Sequence, residues 1–478
     1  MNLNEKEITQ HVTQYLMTLG ISTIKKDIEW KSYGRKKVDF VGYTINEEGK
    51  LTAEVVVEVH SKPTPEVQLR LTEASKALGV PYALLIVNDQ KYWYDAKQFL
   101  PIIEGAPPSF CNALLYLKNE EEIRSTIEEC FSRIVETAFI TFEQSIQEVA
   151  AALLVRAYLE DEAGNELSNW DHLTGEKFMY WLKKATKHFG VLNTIHMHGI
   201  YYNVFSDIIT LLRILPPSHP SLGKIFLAII ESNVRKENDN MYITPPIVRS
   251  LFHDIAQITA DGLFAVNLGT GYGSLLHDVS TIRHWESLYG IEINPELCAV
   301  TQISVIISKL KNATITCNDA LTSMRLDRGK YNFVFMDIPT GRVSGDRISE
   351  YEELFKVMED NRRRKFDLAE LFIERSIDIC TPGGYILTTV PESLLFTSTT
   401  KSIRNFILDQ CIVEAIISLP QHTFKPYTFT KSNLLLLRKK KQHGDAGKQI
   451  FMAKVDSLDD IPSIINSFIA AKQRGDLS

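Results

Sequence analysis

The sequence predicts an α/β protein whose C-terminal half is a parallel β-sheet covered by helices on both faces. From about residue 241 to the end, strand-like and helix-like segments alternate repeatedly. The strand-like segments are near-continuous apolar runs such as "YNFVFM" (331–336), a pattern typical of strands buried on both faces. Polar residues follow several of these runs, and ligands of such sheets bind at the carboxyl ends of the strands.

Length, charge and cysteine content limit the classes of function. The 478 residues are too many for one core and predict two or three domains. The net charge of −7 argues against a chain that coats nucleic acid unaided, although a local basic groove or a basic partner remains open. The six scattered cysteines form no CxxC pair and indicate neither a disulfide framework nor a zinc site. Neither a membrane-spanning run nor a signal peptide is evident, so a cytoplasmic location is predicted.

Changes of pattern along the chain predict three domains. Residues 1–105 alternate helix-like and strand-like segments, and "EGAPPS" (104–109) then breaks the pattern, because glycine and proline together usually end regular structure. Residues 110–235 carry apolar residues at helical spacing and predict a helical domain. Residues 241–478 form the third domain, which contains the sheet.

The elements of the third domain can be placed coarsely. A helix is predicted after "TPP" (244–246), where Thr244 can cap the helix and Pro245 fits its first turn. A second helix is predicted to begin at Asn294, with Pro295 after the cap. The predicted strands are 263–268, 288–293, 313–318, 331–336, 385–390, 412–419 and 433–439.

Three successive strand ends predict a nucleoside site. Gly269, Gly271 and Gly273 follow the first strand directly, and glycines permit a tight turn and a close approach of ligand to backbone. Glu292 lies near the end of the second strand, where an acid can bind both hydroxyls of a ribose. Asp319 follows the third strand, in position to meet an adenine amino group. The alternative is that Glu292 and Asp319 only cap helices.

Six segments of the third domain carry a resemblance to a known family. They are "MYITPPIVRSLFHDI", "NLGTGYGS", "YGIEINPELCAV", "TPGGYILTTVPESLLF", "IRNFILDQCIVEAIISLP" and "TFKPYTFTKSNLLLLRKK". Together they resemble the methyltransferase subunit of type I restriction-modification systems, a family that modifies the exocyclic amino group of adenine in DNA. The resemblance implies a Rossmann-like domain that binds S-adenosylmethionine through Thr244, the glycine turn, Glu292 and Asp319. Asn267 stands where the family usually has an acid and is included in this site.

The same resemblance makes "DIPT" (337–340) the candidate catalytic loop. The family usually has NPPF or NPPY, in which the first side chain and the next carbonyl orient the target amine. Proline fixes that loop, and the aromatic ring stacks on the flipped base. The resemblance therefore implies Asp337, the Ile338 carbonyl and Pro339 as catalytic groups, whereas Thr340 cannot stack. The alternative is that Asp337 only caps the turn after a buried strand.

A later segment offers aromatic rings in place of the missing one. Phe424, Tyr427 and Phe429 lie where the family often has base-contacting groups. Phe424 and Tyr427 are the candidates for base stacking, and the alternative is that these rings pack under the loop. The basic run "NRRRK" (361–365) is either a contact for DNA phosphates or a solvated surface.

Two predicted strands of the first domain carry acids. "KKVDFVGY" contains Asp39, and "AEVVVEVHSK" contains Glu58, followed by His60 and Lys62. These segments resemble the restriction-endonuclease-like fold, in which an Asp and a Glu bind Mg²⁺ and a Lys two positions after the Glu assists catalysis. His60 occupies that Lys position here. An inactive nuclease-like domain that binds DNA or a partner remains the alternative.

Three functional hypotheses follow. The first is an S-adenosylmethionine-binding, DNA-directed adenine methyltransferase subunit of a restriction-modification or phage-defence system. No target-recognition domain is evident after the sheet, so sequence choice is expected to come from a separate specificity or effector subunit. The second is a catalytically inactive methyltransferase-like scaffold that senses DNA or cofactor. The third is a Mg²⁺-dependent DNA nuclease that uses Asp39 and Glu58.

Overall fold

The computed structural model describes most of the chain and groups it into two compact units. It describes all residues except 1–4, 19–20, 22, 33, 46–50, 61–64, 88–89, 96–99, 103–119, 162–174, 193, 196–207, 209–220, 238–241, 344–346, 348–350, 360–365, 443 and 478. The first unit comprises Met1–Ile127, Tyr158–Glu176 and Tyr202–Pro216. The second comprises Glu128–Ala157, Lys177–Tyr201 and Pro217–Ser478. The predicted division into three domains stays a prediction.

A mixed six-stranded sheet forms the first unit. Its elements are α1 (Glu5–Thr18), β1 (Thr23–Ser32), β2 (Gly34–Ile45), β3 (Leu51–His60), α2 (Pro65–Leu78), β4 (Tyr82–Val87), β5 (Gln90–Asp95) and β6 (Leu100–Ile102). The strands lie in chain order, and only β3 and β4 pair in parallel, because α2 supplies the crossover that parallel neighbours need. Alternate side chains fill two cores: Val56 and Leu85 pack on one face, Val57 and Leu84 on the other.

Helices dominate the middle of the chain. They are α3 (Glu120–Ala138), α4 (Phe142–Asp161), α5 (Gly175–Phe189) and α6 (Leu222–Glu237). These helices agree with the helical spacing in the sequence. Among all the helices that the structure describes, none is both long and apolar enough to cross a membrane.

Alternating helices and strands follow in the second unit. They are α7 (Pro246–Thr259), β7 (Phe264–Leu268), α8 (Ser274–Ser280), β8 (Ser287–Glu292), α9 (Pro295–Ile307), β9 (Ala313–Cys317), β10 (Tyr331–Met336), α10 (Leu368–Ile379), β11 (Cys380–Pro391), α11 (Glu392–Phe396), α12 (Lys401–Gln410), β12 (Cys411–Ser418), β13 (Ser432–Lys439), β14 (Phe451–Lys454) and α13 (Ile461–Gln473). Short 3₁₀ helices are found at Lys356–Glu359, Ser398–Thr400 and Leu458–Asp460. Every strand predicted for this region is present, with ends that differ by a few residues.

The second sheet has the order β9-β8-β7-β10-β11-β13-β12-β14. The strands from β9 to β11 are parallel, but β13 runs antiparallel to both β11 and β12. The prediction of a parallel sheet was therefore wrong for β13. Residues 419–431, which join β12 to β13, contain turns but no helix, and an antiparallel neighbour needs no helical crossover.

Both faces of this sheet are covered. Along β10, Val334 and Met336 enter the core on the side of α10 and α12, whereas Phe333 and Phe335 enter the core on the side of α7 and α13. Successive side chains of a strand point to opposite faces. The part of a strand that is covered on both faces must therefore be apolar, which explains the continuous apolar run at 333–336.

Strand order changes direction between β7 and β10. From β7 the chain proceeds to β8 and β9 on one side, and then returns to place β10 on the other side of β7. The carboxyl ends of β7 and β10 consequently lie side by side at a topological switch point. In open α/β sheets, this is where a ligand crevice forms.

Candidate active site

A cavity of about 790 Å³ opens at this switch point. The predicted site residues that line it are Thr244, Gly269, Gly271, Glu292, Asp319, Asp337, Ile338, Pro339 and Tyr427. Three other predicted residues, Asn267, Gly273 and Phe424, are buried and do not line it. The structure thus brings the residues of four strand ends to one cavity, as expected for adjacent parallel strands.

The three glycines of the turn after β7 all have positive φ, and two of them, Gly271 and Gly273, differ in what surrounds them. Gly271 has φ +58°, and a Cβ there would meet nothing within 4 Å. Gly273 has φ +91°, and a Cβ there would lie 2.6 Å from Thr301 Cγ2 on α9. Positive φ favours glycine at both positions. Gly273 in addition allows α9 to pack closely, and the space beside the Cα of Gly271, which lines the cavity, is open.

Glu292 lies at the end of β8 and binds backbone groups on two sides. Its Oε2 accepts a hydrogen bond from Gly271 N at 2.8 Å, and its Oε1 accepts one from Asn294 N at 2.9 Å. Each carboxylate oxygen can accept a further hydrogen bond, so hydroxyl groups of a ligand can be held here. Asn294 caps α9 as predicted, since its side chain accepts from Glu296 N and Leu297 N.

Asp319 lies after β9 and is already paired with a cation. Arg347 donates to Asp319 Oδ2, Tyr351 Oη donates to the same oxygen at 2.9 Å, and Leu321 N donates to Oδ1 at 2.9 Å. The Arg347 guanidinium also lies 4.8 Å from the centre of the Tyr351 ring. Any donor that binds Asp319 Oδ2 must therefore share or displace this ion pair. Nothing in the local sequence pointed to Arg347, which follows Asp319 by 28 residues.

Asp337 follows β10 and is held by hydroxyl groups. Thr389 Oγ1 on β11 donates to Asp337 Oδ1 at 2.6 Å and accepts from Ile338 N at 3.0 Å. Tyr242 Oη donates to Asp337 Oδ2. Burial raises the pKa of the Asp337 carboxyl, and the hydrogen bonds from Thr389, Tyr242 and Thr244 oppose that increase. The carboxylate is thereby fixed in orientation at the wall of the cavity.

Thr244 does not cap α7, so that prediction was wrong. The N-cap residue is Pro245, in extended conformation, and no side chain caps the helix. The Thr244 side chain hydrogen-bonds Asp337 instead. The carboxylate, a stronger acceptor than a neutral group, is within reach because the segment before α7 runs beside the end of β10.

Asn267 links the two strands that flank the switch point. Its Nδ2 donates to the Phe335 carbonyl on β10 at 2.9 Å, and the side chain is almost fully buried. Its Oδ1 has no partner among the residues that the structure describes. An amide can make this cross-strand bond. The family that the sequence resembles usually has an acid at this position, and an ionised acid has no hydrogen to donate.

Three aromatic rings meet beside Asp337. The Tyr242 ring is stacked on Phe424, with ring centroids 6.4 Å apart, and meets Tyr427 edge-on at 5.2 Å. Phe424 is buried, whereas Tyr242 and Tyr427 line the cavity. Phe429 is exposed, and the Lys425 ammonium lies 5.2 Å from the centre of its ring. Sequence reasoning missed Tyr242, although it stands two residues before Thr244.

An ion network supports the glycine turn from behind. Arg249 on α7 bonds Glu231 on α6 at 2.6 Å and both oxygens of Asp278 on α8 at 2.7 and 2.9 Å. Glu231 also accepts from Ser274, the first residue of α8. Three helices are thus joined at the point where the turn ends.

The acids predicted in the first unit lie together, but a guanidinium is already paired with Glu58. Ligand atoms of Asp39, Glu58 and His60 lie within 4.8 Å of one another. Arg70 donates to Glu58 Oε2 and lies 2.8 Å from His60 Nε2, while Asp39 Oδ2 accepts from Val59 N at 2.7 Å. Burial and the nearby Asp39 raise the pKa of Glu58, and Arg70 and His60 oppose this.

Mg²⁺ does not fit this arrangement well. The ion prefers oxygen ligands in octahedral geometry, whereas this cluster offers an imidazole nitrogen, and the Arg70 guanidinium is already paired with Glu58. The nuclease hypothesis stays an untested prediction. Lys62 and the basic run at 361–365 lie outside the described residues.

Comparison with solved structures defines the class of fold. The chain is similar to a protein of Listeria monocytogenes described as a class I S-adenosylmethionine-dependent methyltransferase, with a TM-score of 0.52 and 17% identity over 74% of this chain and 97% of the other. It is also similar to a type I restriction-modification methyltransferase subunit from Streptococcus thermophilus, with a TM-score of 0.53 and 12% identity over 74% and 94%. At these identities the likeness concerns the fold, which is that of S-adenosylmethionine-dependent methyltransferases.

Sequence comparison gives the family. The model described as N-6 DNA Methylase matches residues 218–463, more than half of the chain. The chain belongs to this N-6 DNA methylase family. A curated relative, the uncharacterized protein YtxK of Bacillus subtilis (strain 168), is 26% identical over 210 residues, which cover 42% of this chain and 61% of YtxK. The match thus spans less than two thirds of that relative.

Proposed function

We propose that the second unit binds S-adenosylmethionine and transfers its methyl group to the exocyclic amine of adenine in DNA, as a subunit that works with a separate specificity partner. The observation that carries the proposal is the meeting of the glycine turn, Glu292, Asp319 and Asp337 in one cavity at the switch point. Family membership supports this chemistry, and the type I subunit from Streptococcus thermophilus supports the expectation of a partner.

The residues fit a nucleoside cofactor in order along the cavity. Gly271 leaves open space for the methionine part. Glu292 keeps free acceptor capacity for the ribose hydroxyls, next to the turn that it already binds. Asp319 receives the adenine amino group once Arg347 shares or releases its oxygen. Bound S-adenosylmethionine supplies an electrophilic methyl group on a positively charged sulfur.

Asp337 and the Ile338 carbonyl orient the target amine. Both accept hydrogen bonds from the amine, so its lone pair is directed at the methyl carbon, a gain through positioning. Bound S-adenosylmethionine would supply the methyl group, and the amine would give up one proton in exchange for it. The raised pKa of Asp337 makes its carboxylate a better acceptor for that proton.

A binding and transfer experiment with Glu292→Gln tests the proposal. Calorimetry should show that the full chain binds S-adenosylmethionine and that Glu292→Gln weakens binding by roughly tenfold to a hundredfold, because hydrogen bonds to a charged group contribute about 1.5–3 kcal/mol. The control is Glu286→Gln, an exposed acid just before β8, which should bind normally. A wild-type chain that binds no cofactor, or a Glu292→Gln chain that binds it equally well, would contradict the proposal.

A non-catalytic scaffold is the second candidate, and two observations favour it. Thr340 has no ring for base stacking, and the Asp319 carboxylate is paired with Arg347. Labelled methyl transfer to DNA that lacks N6-methyladenine, with and without co-purified partners, separates the candidates. Cofactor binding without any transfer in either preparation identifies the scaffold.

A further inference from the structure

We infer that Tyr242 is a positioning residue for the target base: its hydroxyl orients Asp337, and its ring supplies the stacking surface that Thr340 lacks. The inference rests on the proposed function, because it concerns the same cavity. It extends that proposal to a residue that lies 95 positions from Asp337 in the sequence and outside the catalytic loop.

The hydroxyl of Tyr242 completes the fixation of Asp337. Thr389 binds Asp337 Oδ1 at 2.6 Å, and Tyr242 binds the other oxygen, Oδ2. Thr244 is a third donor, and donors on both oxygens prevent rotation of the carboxylate about its terminal torsion, which is otherwise broad. The remaining lone pairs then keep one direction toward the cavity, which a group that orients an amine requires.

The ring of Tyr242 is supported by neighbouring rings, and the residue is partly exposed at the cavity. The buried ring of Phe424 stacks behind it at 6.4 Å and 18°, and Tyr427 meets it edge-on at 5.2 Å and 66°. The Tyr242 residue is nevertheless 39% exposed and lines the cavity with Asp337. A supported ring at the cavity wall offers a flat surface, and base–aromatic stacking tolerates every base because each has a π face.

Other candidates for the stacking role are placed less well. Phe424 is 5% exposed and lies beneath Tyr242. Phe429 is 68% exposed, and its contact is with Lys425. Tyr427 also lines the cavity, but its ring is inclined at 66° to the Tyr242 ring, and it is the Tyr242 ring that stacks on Phe424. The ligand implied is a planar nucleobase with an exocyclic amine, turned out of its stack.

Two substitutions at Tyr242 separate the two functions. Tyr242→Phe keeps the ring and removes the hydroxyl, whereas Tyr242→Leu removes both. The probe is 2-aminopurine deoxyriboside, whose fluorescence is quenched by stacking, titrated into the full chain with S-adenosylhomocysteine bound. Deoxyadenosine serves as the competitor, and Phe429→Leu, which removes an exposed ring, is the matched control.

The expected results differ between the variants. Tyr242→Phe should bind the probe within about twofold of wild type, while its kcat for methyl transfer to DNA falls at least about tenfold at unchanged KM. Tyr242→Leu should bind the probe at least about fivefold more weakly, the lower bound for loss of one base–aromatic stack. Phe429→Leu should match wild type, and all four proteins should bind S-adenosylhomocysteine equally, which also shows that they are folded.

The outcomes distinguish this inference from the proposed function. Normal probe binding by Tyr242→Leu, or no probe binding by wild type loaded with S-adenosylhomocysteine, overturns the role of the ring. An unchanged kcat in Tyr242→Phe overturns the role of the hydroxyl. If probe binding depends on Tyr242 but wild type transfers no methyl group, the ring is supported and the methyltransferase proposal is rejected.

Discussion

At the scale of single residues, the chemistry of the site depends on how one buried acid is held. Asp337 is 7% exposed, and burial raises its pKa, yet three hydroxyl groups bond it. A lysine or an arginine would cancel the charge of a buried carboxylate. Hydroxyl groups satisfy its hydrogen bonds and leave the charge in place. The acid therefore keeps capacity to accept from a ligand, in contrast to Asp319, which Arg347 neutralises.

We expect Thr389→Val to disturb both the site and the fold. The substitution leaves Asp337 Oδ1 and the Ile338 N–H without their shared partner, so the free energy of unfolding should fall by about 1–3 kcal/mol. The kcat for methyl transfer should fall, and cofactor affinity should not change, because Thr389 is not among the residues that line the cavity.

The neighbouring substitution Thr388→Val is the control for this prediction. Thr388 is equally buried, and its hydroxyl donates to the Thr389 carbonyl at 2.9 Å and bonds no other residue that the structure describes. Denaturant unfolding and steady-state kinetics measure both variants. A similar loss of kcat in both would show that the hydroxyl of Thr389 has no special role.

At the scale of elements, three helices hold the glycine turn in place. Arg249 joins α7 to α6 through Glu231 and to α8 through Asp278. Because Ser274 begins α8 directly after the turn and bonds Glu231, the position of the turn depends on this network. A cofactor loop made of glycines has little rigidity of its own, so its geometry is supplied by the surrounding helices.

Arg249→Met should weaken the cofactor site from a distance. Two partly buried carboxylates lose their cation, and we expect a loss of about 2 kcal/mol in the free energy of unfolding, below the figure for fully buried pairs because Arg249 is partly exposed. Calorimetry should show weaker binding of S-adenosylmethionine.

The comparison for this prediction is Lys330→Met, which breaks an exposed pair with Asp327. It should cost less than about 0.5 kcal/mol and leave cofactor binding intact. Equal effects of the two substitutions would exclude a special role for the network.

At the scale of the whole molecule, a buried histidine makes stability depend on pH. Ser304 Oγ donates to the Thr301 carbonyl, so His277 Nε2 is the donor in its 3.0 Å contact with Ser304. His277 Nδ1 then carries no proton, and it has no partner within the described part of the chain. Burial lowers the pKa of His277 to about 3, and the charges of Lys224 and Arg249 contribute.

This histidine should reduce stability as the pH falls. The folded pKa lies below the ordinary value of 6.5, so between about pH 6.5 and 3 the unfolded chain binds a proton that the folded chain does not. The free energy of unfolding then decreases by up to about 1.4 kcal/mol per pH unit.

His277→Gln should make the free energy of unfolding of the second unit depend less on pH in this range. Denaturant unfolding of the full chain between pH 6.5 and 4 measures the difference. The same substitution at the exposed His284 is the control. Parallel profiles for wild type and His277→Gln would disprove the assignment.

Local patterns in the sequence were sufficient to predict much of the second sheet and several residues of the site. Continuous apolar runs predicted the strands of the second sheet because burial on both faces demands them, and Asn294 with Pro295 predicted the start of α9. The strand ends were sufficient to place Glu292, Asp319 and Asp337 at one edge, since parallel strands share their direction.

The predictions that were wrong, and the residues that were missed, depended on contacts between distant segments of the chain. Threonine is a common N-cap residue, but the hydroxyl of Thr244 hydrogen-bonds the Asp337 carboxylate instead. Tyr242 and Arg347 reach their carboxylates only after the sheet has assembled, and no spacing rule connects them. The orientation of β13 was mispredicted because an apolar strand has the same composition in either direction.

The position of β10 also has a consequence for the order in which the protein forms during synthesis. β7, β8 and β9 leave the ribosome before β10 and can pair among themselves. This pairing brings together the glycine turn, Glu292 and Asp319. One edge of β7 then stays unpaired until Tyr331–Met336 has been made and inserts beside it. An open apolar edge is a template for wrong pairing, so the nascent chain is most exposed to aggregation during that interval, and a chaperone would act most usefully there.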